Sequence, residues 1–115
     1  MLELTSEQQA IRDGVAAVCN RFGDDYWLEC DRTEEFPADF HRGMADAGWL
    51  GVTMPEQYGG AGLGVTEAAV IMHTVALHGA QTAASSIHIN MFGPHPVVVH
   101  GTVEQKAQWL PRLVR

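Results

Sequence analysis

Residues 47–101 contain no lysine, no arginine and no aspartate, and only two glutamates, Glu56 and Glu67. Residues 1–46 hold 11 of the chain's 14 acidic side chains and 4 of its 7 basic ones. A small domain turns much of its surface to water, and such surfaces are normally rich in charge. A 55-residue stretch this bare of charge therefore points to contact with another domain, a subunit or a ligand, or else to a Gly- and Ala-rich core. Five of the six histidines fall in the stretch and keep it partly polar.

Other absences narrow the function classes. No run of about 18 apolar residues is present, so no membrane span is expected. The opening Met1-Leu2-Glu3-Leu4-Thr5 lacks a basic segment and a long apolar run, so it does not read as a signal peptide. A net charge of −7 makes the surface repulsive to nucleic acid. Two cysteines, Cys19 and Cys30, make no disulfide framework. On one helix they would lie about 16 Å apart, too far to bridge. A reducing, cytoplasmic setting is the expectation. The 115 residues suffice for one domain with a real core, and an apolar content of 46% argues against disorder.

What is present reads as helix. Thr5 and Gln8 form a capping box, and Ile11, Val15, Val18, Phe22 and Tyr26 follow as one helical stripe. Asp31–Glu35 reads as a solvated connection. Pro37 suits the first turn of a second helix whose apolar face is Phe40, Met44 and Ala47, with Gly48 just past its end. Trp49–Met54 is short and apolar, and Pro55 stops it. Gly59, Gly60, Gly62 and Gly64 form a loop. Thr66 opens a third helix through Ala69, Met72, Val75 and Ala76, closed by Gly79, and a fourth runs from about Thr82 to Phe92. Val97-Val98-Val99 favours strand on propensity but is too short for periodicity to decide. Thr102 and Gln105 cap a last helix whose final turn Pro111 should disturb.

The chemistry these residues invite is tested by spacing. A Gly-x-Gly-x-x-Gly phosphate cradle would need glycine at 65 or 67, which hold Val65 and Glu67. The loop instead reads as a turn needing positive φ or close backbone approach. His73 and His78 lie about 140° apart around a helix, and no His-Glu-x-x-His or paired-Cys motif exists, so no metal site is expected. Ser85 and Ser86 neighbour His88 without an acid to orient its imidazole, so hydrolase chemistry is not expected. Ala84, His88 and Phe92 fall at i, i+4 and i+8 and make one stripe. His88 is there either a packing histidine or a polar spot in an apolar ligand wall.

Several segments together resemble the acyl-CoA dehydrogenase family. They are Phe36-Pro37, Trp49 to Gly64 with its Pro55-Glu56-Gln57-Tyr58-Gly59-Gly60-Ala61-Gly62 run, Asn90 to Pro96, and Gly101-Thr102-Val103-Glu104-Gln105-Lys106 leading to Trp109-Leu110-Pro111. Leu4-Thr5-Ser6-Glu7-Gln8 fits as well. The resemblance runs through the whole chain in order.

The resemblance implies an all-α bundle of five to six helices over residues 1–115, the N-terminal helical domain of a three-domain flavoenzyme. It favours helix for Val97–Val99. It implies that a middle β domain and a C-terminal helical domain, holding most of the FAD site and the catalytic glutamate, lie outside this sequence. By that resemblance no catalytic or cofactor-binding residue is assigned here, and the 115 residues alone are expected to be inactive and not to retain FAD. Ala84, His88 and Phe92 match positions lining the acyl-chain cavity. The complete enzyme would oxidise an acyl-CoA substrate between its α and β carbons, pass electrons to an acceptor such as an electron-transfer flavoprotein, and form a homo-oligomer. An acyl-CoA oxidase, a nitroalkane oxidase or a flavin monooxygenase would share the domain. A non-catalytic helical interaction module is the alternative of a different class.

Overall fold

A computed structural model describes residues 3–115. Met1 and Leu2, the start of the opening segment weighed above as a leader, lie outside the described residues. The described residues form helices α1 (Ser6–Cys19), α2 (Asp24–Thr33), α3 (Ala38–Asp46), α4 (Val65–Phe92), α5 (His95–His100) and α6 (Val103–Leu113). Single 3-10 turns occupy Trp49–Gly51 and Glu56–Tyr58, and no strand occurs among the described residues. This is the all-α architecture expected.

The molecule measures 43 × 35 × 21 Å. Its thin dimension is about two helix diameters, so a helix that faces the core on one side faces outward on the other. α1 packs most extensively on α4, while α2 and α3 also rest on α4 and α6 closes over α5 and the Glu56–Tyr58 turn. The core consists of Val15, Val18 and Cys19 from α1, Phe40 and Met44 from α3, Leu50 and Val52 beyond it, and Ala68, Ile71, Val75, Ala83, Ile87 and Met91 along α4. Ile11, Phe22, Tyr26 and Trp27 pack partly buried against it. No helix is long and apolar enough to cross a membrane among the described residues.

The caps behave as their sequences dictate. Thr5 Oγ1 accepts from the Gln8 N–H (3.2 Å), and Gln8 Oε1 accepts from the Thr5 N–H (3.1 Å). Thr102 and Gln105 form the same reciprocal pair on α6. α4 starts one residue earlier than expected, at Val65 with Gly64 as its cap. Gly64 has no side chain to offer, so only the return arm exists, from the Gly64 N–H to Glu67 Oε2 (3.0 Å). The other carboxylate oxygen of Glu67 accepts from Gln8 Nε2 at 3.1 Å. One carboxylate thus ties the N-terminus of α4 to that of α1.

Five sequence expectations need correction. Asp31–Glu35 is not a connection throughout: α2 runs on to Thr33, and the chain leaves the helix at Glu34, in the left-handed region at φ 57°. The stripe from Ile11 to Tyr26 is not one helix: α1 ends at Cys19 and α2 begins after Gly23, whose extended backbone caps it. The apolar spacing survives because both helices bury the same side. The inner face of α4's first half carries Ala68, Ile71, Thr74 and Val75, whereas Ala69 and Ala76 are exposed. Thr74 is tolerated inside because its hydroxyl donates to the Val70 carbonyl at 2.7 Å. Ala47 is exposed, at the C-cap of α3, with Gly48 following at φ 83°. Pro111 does not disturb the last turn of α6, which stays helical to Leu113; proline removes only the one bond that its own N–H would have made. Val97–Val99 is helical, within α5.

α4 is broken in mid-course. Gly79 and Ala80 leave helical geometry, Ala80 at φ 53° and ψ −148°. Ile71, Val75, Gly79, Ala83, Ile87 and Met91 recur every fourth residue and all are buried. At 100° per residue such a series drifts about 200° around a straight helix, so one straight cylinder could not bury all six. The kink resets the face. It is locked by Trp27, whose ring atoms Cε2 and Cζ2 lie 2.6 and 2.8 Å from where a Gly79 Cβ would stand.

Two outcomes follow from this architecture. Gly79→Ala should destabilise by about 1–3 kcal/mol, since the added methyl overpacks Trp27 and Ala83. Ala80→Gly should stabilise by about 1 kcal/mol, because relief of the positive φ exceeds the added chain entropy. Urea titration of both variants measures this. The bond from Gln8, with further bonds from backbone N–H groups, holds the Glu67 carboxyl below its usual range. A depressed folded-state value gives stability that is present above the unfolded value and lost as pH falls through the folded one. Denaturation midpoints should therefore fall on acidification below the ordinary carboxylate range, and Glu67→Gln should flatten that part of the profile.

Candidate functional site

The second half of α4, residues 81–92, presents two unlike faces. Inward lie Ala83, Ser86, Ile87 and Met91, all buried. Ser86 meets its own need by donating to the Ala83 carbonyl at 2.7 Å. At the edge of the inner face, Asn90 Oδ1 lies 3.0 Å from His41 Nε2, and Asn90 Nδ2 donates to the Leu113 carbonyl at 3.4 Å. The Thr53 hydroxyl donates to the Met91 carbonyl at 3.5 Å. These bonds tie α3, α4, α6 and the segment after Gly51 together, so the outward face is carried on a fixed support.

Ala84, His88 and Phe92 do share that outward face. Ala84 is half-buried, and His88 and Phe92 are exposed. The His88 and Phe92 rings sit 6.0 Å apart, tilted by 44°. His88 is thus exposed on this face rather than packed in the core. Between Glu67 and Glu104 the chain has no charged side chain apart from histidine, and Ile89 and Val99 are also exposed nearby in sequence.

A groove lies beside this face. It encloses about 420 Å³ between Phe36 and Pro37 on one wall and Gln81, Thr82, Ser85 and Ser86 on the other. Phe36 is exposed and tilts against His41 at 5.3 Å. None of Ala84, His88 and Phe92 lines the groove itself. Gln81 and Ser85, which do, were missed by the sequence stripe. The signal was available: Gln81, Ser85, His88 and Phe92 recur at intervals of 4, 3 and 4.

The Gly-rich loop is closed to anions. Its N–H groups are engaged internally: Gly59 to Glu56, Gly60 to Pro55, Ala61 to Gly51, Gly62 to Met54, and Leu63 to Val52, at 2.8–3.2 Å. A cradle needs such donors free. Gly59 and Gly62 supply positive φ (92° and 67°). At Gly60 a Cβ would overlap the carbonyl oxygens of Met54 and Gly51. The loop is a tight turn, and nothing in it fits a flavin or nucleotide phosphate.

The cysteines lie on different helices and are free thiols. Burial pushes the Cys19 thiol up to about 11, so it stays protonated and unreactive. Burial also raises Tyr26, whose hydroxyl accepts from the Phe40 N–H at 3.3 Å and helps seat α3. Neither group lines the groove.

A model of the family described as "Acyl-CoA dehydrogenase, N-terminal domain" matches residues 5–115. Over 107 residues the chain is 32% identical to acyl-CoA dehydrogenase FadE12 of Mycobacterium tuberculosis, covering 93% of this chain and 27% of that protein. It is 32% identical over 114 residues to the mitochondrial isovaleryl-CoA dehydrogenase of Bos taurus, covering 96% and 26%. Acryloyl-CoA reductase (NADH) of Anaerotignum propionicum is 33% identical over 87 residues, covering 76% and 22%. The chain spans about a quarter of the length of these curated relatives.

Leu63, Val65, Leu77, Ile89, Phe92 and Val99 are all exposed within the charge-poor stretch. These 115 residues in isolation should bind a hydrophobic reporter dye and self-associate at high concentration. Ile89→Glu should weaken both. Light scattering with dye titration checks this, and a clean monomer that leaves the dye dark would show that no interface is exposed.

Proposed function

The chain belongs to the acyl-CoA dehydrogenase family, as its N-terminal domain, and from that membership we propose that it serves α,β-dehydrogenation of an acyl-CoA thioester by forming a wall against the acyl tail. The observation that carries the reading is the outward face of residues 81–92, uncharged and half apolar, on a helix fixed from behind. In this reading Ala84, His88 and Phe92 face the tail. Each relative reported above is named for an acyl-CoA substrate, which supports the same class here.

The division of labour follows from what the described residues hold. The face offers apolar contact and hydrogen bonding, with no carboxylate to take a proton from the substrate's α carbon. The glycine loop does not fit a flavin phosphate, so no redox step is assigned to it. FAD, a catalytic base, an electron acceptor such as an electron-transfer flavoprotein, and a homo-oligomeric assembly belong to the proposal for the whole enzyme. These 115 residues alone would be colourless and inert toward acyl-CoA. Ala84 sets the depth of the wall: its methyl leaves room that a larger side chain would fill.

The test uses the complete enzyme and a chain-length series of acyl-CoAs. Ala84→Phe should lower kcat/KM for long tails relative to short ones by about tenfold, since overpacking costs about 1–3 kcal/mol and discrimination appears in that ratio. An unaltered chain-length profile would remove Ala84 from the wall.

A further inference from the structure

The outward face of residues 81–92 is more polar than a hydrocarbon tail would need. At 100° per residue Gln81, Ser85, His88 and Phe92 fall within about 60° of one another on the helix. Three of the four carry hydrogen-bonding groups: a carboxamide, a hydroxyl and an imidazole. All four side chains are exposed. From Gln81 to His88 the stripe runs about 10 Å along the axis. Thr82 adds a second hydroxyl to the same groove wall as Gln81 and Ser85, opposite Phe36 and Pro37. The polarity is not explained by internal support. The residues whose polar groups are engaged within the domain are Ser86 and Asn90, which donate to the Ala83 and Leu113 carbonyls.

A plain alkyl tail laid along this stripe would take three polar side chains out of water and return no hydrogen bond. Burying a polar group without a partner is unfavourable, and a site built for hydrogen bonding rejects the analogue that lacks the partner. Charged tails fare no better, because no Lys, Arg, Asp or Glu stands between Glu67 and Glu104. A neutral oxygen substituent meets both conditions. Gln81 and Ser85 can donate or accept, and His88 can do either according to its tautomer. Phe92 and Ala84 supply the flanking apolar contact.

We propose that the substrate is an acyl-CoA whose tail carries a neutral oxygen function, hydroxyl or carbonyl, recognised by His88, Ser85 and Gln81. This rests on the reading of the α4 face as the tail wall.

The complete enzyme is assayed with decanoyl-CoA and with its monohydroxylated isomers from mid-chain to the terminus, by kcat/KM and by equilibrium binding. At least one isomer should exceed decanoyl-CoA by about tenfold in kcat/KM, the scale of one satisfied hydrogen bond against an unsatisfied one. His88→Leu and Ser85→Ala, both at exposed positions where folding is little affected, should each bring that ratio down toward one. A decanoyl-CoA rate above that of every isomer overturns this inference and leaves the acyl-tail reading standing. A hydroxyl preference that survives both substitutions also overturns it, because the recognition then lies elsewhere. If the enzyme neither binds nor turns over any acyl-CoA of the series, the acyl-tail reading fails and this inference falls with it.

Discussion

The contact between Trp27 and the bare backbone of Gly79 governs this architecture. α2 brings the indole to α4 at the point where no Cβ stands in the way. The break at Gly79 and Ala80 lets two half-helices bury a series spaced every four residues. Without the break, either Ile71 and Val75 or Ile87 and Met91 would rotate off the core. The orientation of the outward face of residues 81–92 is therefore set by an aromatic ring on the opposite side of the helix. Trp49 repeats the device on α1, where its Cζ2 lies 2.8 Å from the position of a Gly14 Cβ. Both indole N–H groups are buried and unpartnered among the described residues. Such orphaned donors are unfavourable, so the close helix approach must outweigh them.

The partition of charge and the flatness of the molecule belong together. A body 21 Å thick leaves every helix with one outward face. α2 clothes its outward face in Asp24, Asp25, Glu29, Asp31 and Arg32, with the Arg32–Glu29 pair at 2.6 Å as surface dressing. α4 has no such covering. Its exposed Leu77 and Ile89 sit where the sequence has no charge to protect them. The relatives that the chain matches are about four times as long.

Much of this was legible in the sequence because the deciding physics is local. Thr5 with Gln8, Thr102 with Gln105, and Gly48 after α3 act within a few residues, and each stands where the pattern put it. Pro37 became the cap rather than the first-turn residue. What was not legible depends on partners far along the chain. The break after Cys19 is hidden because an apolar stripe continues across it. The register of α4's first half turns on Thr74, which counts as polar until its bond to Val70 is seen. β-branched Val97–Val99 is helical against propensity, held by the following packing on α6. The stripe Ala84, His88 and Phe92 was found from spacing, but its outwardness was not, since period alone does not say which side faces the core. The groove residue Phe36 comes from the connection before α3, and no spacing along α4 could have pointed to it.

Glu67 has a consequence for how the fold comes apart. Its two oxygens serve helix starts whose bonded side chains, Gln8 and Glu67, are 59 residues apart in the chain. Gln8 in turn closes the cap of α1 through Thr5. Fraying, which ordinarily affects each helix end by itself, is here a joint event: opening the first turn of α1 withdraws a donor from the carboxylate that holds the first turn of α4. The two termini form one cooperative unit despite their distance in sequence. Closing that long loop must precede the clasp's reward.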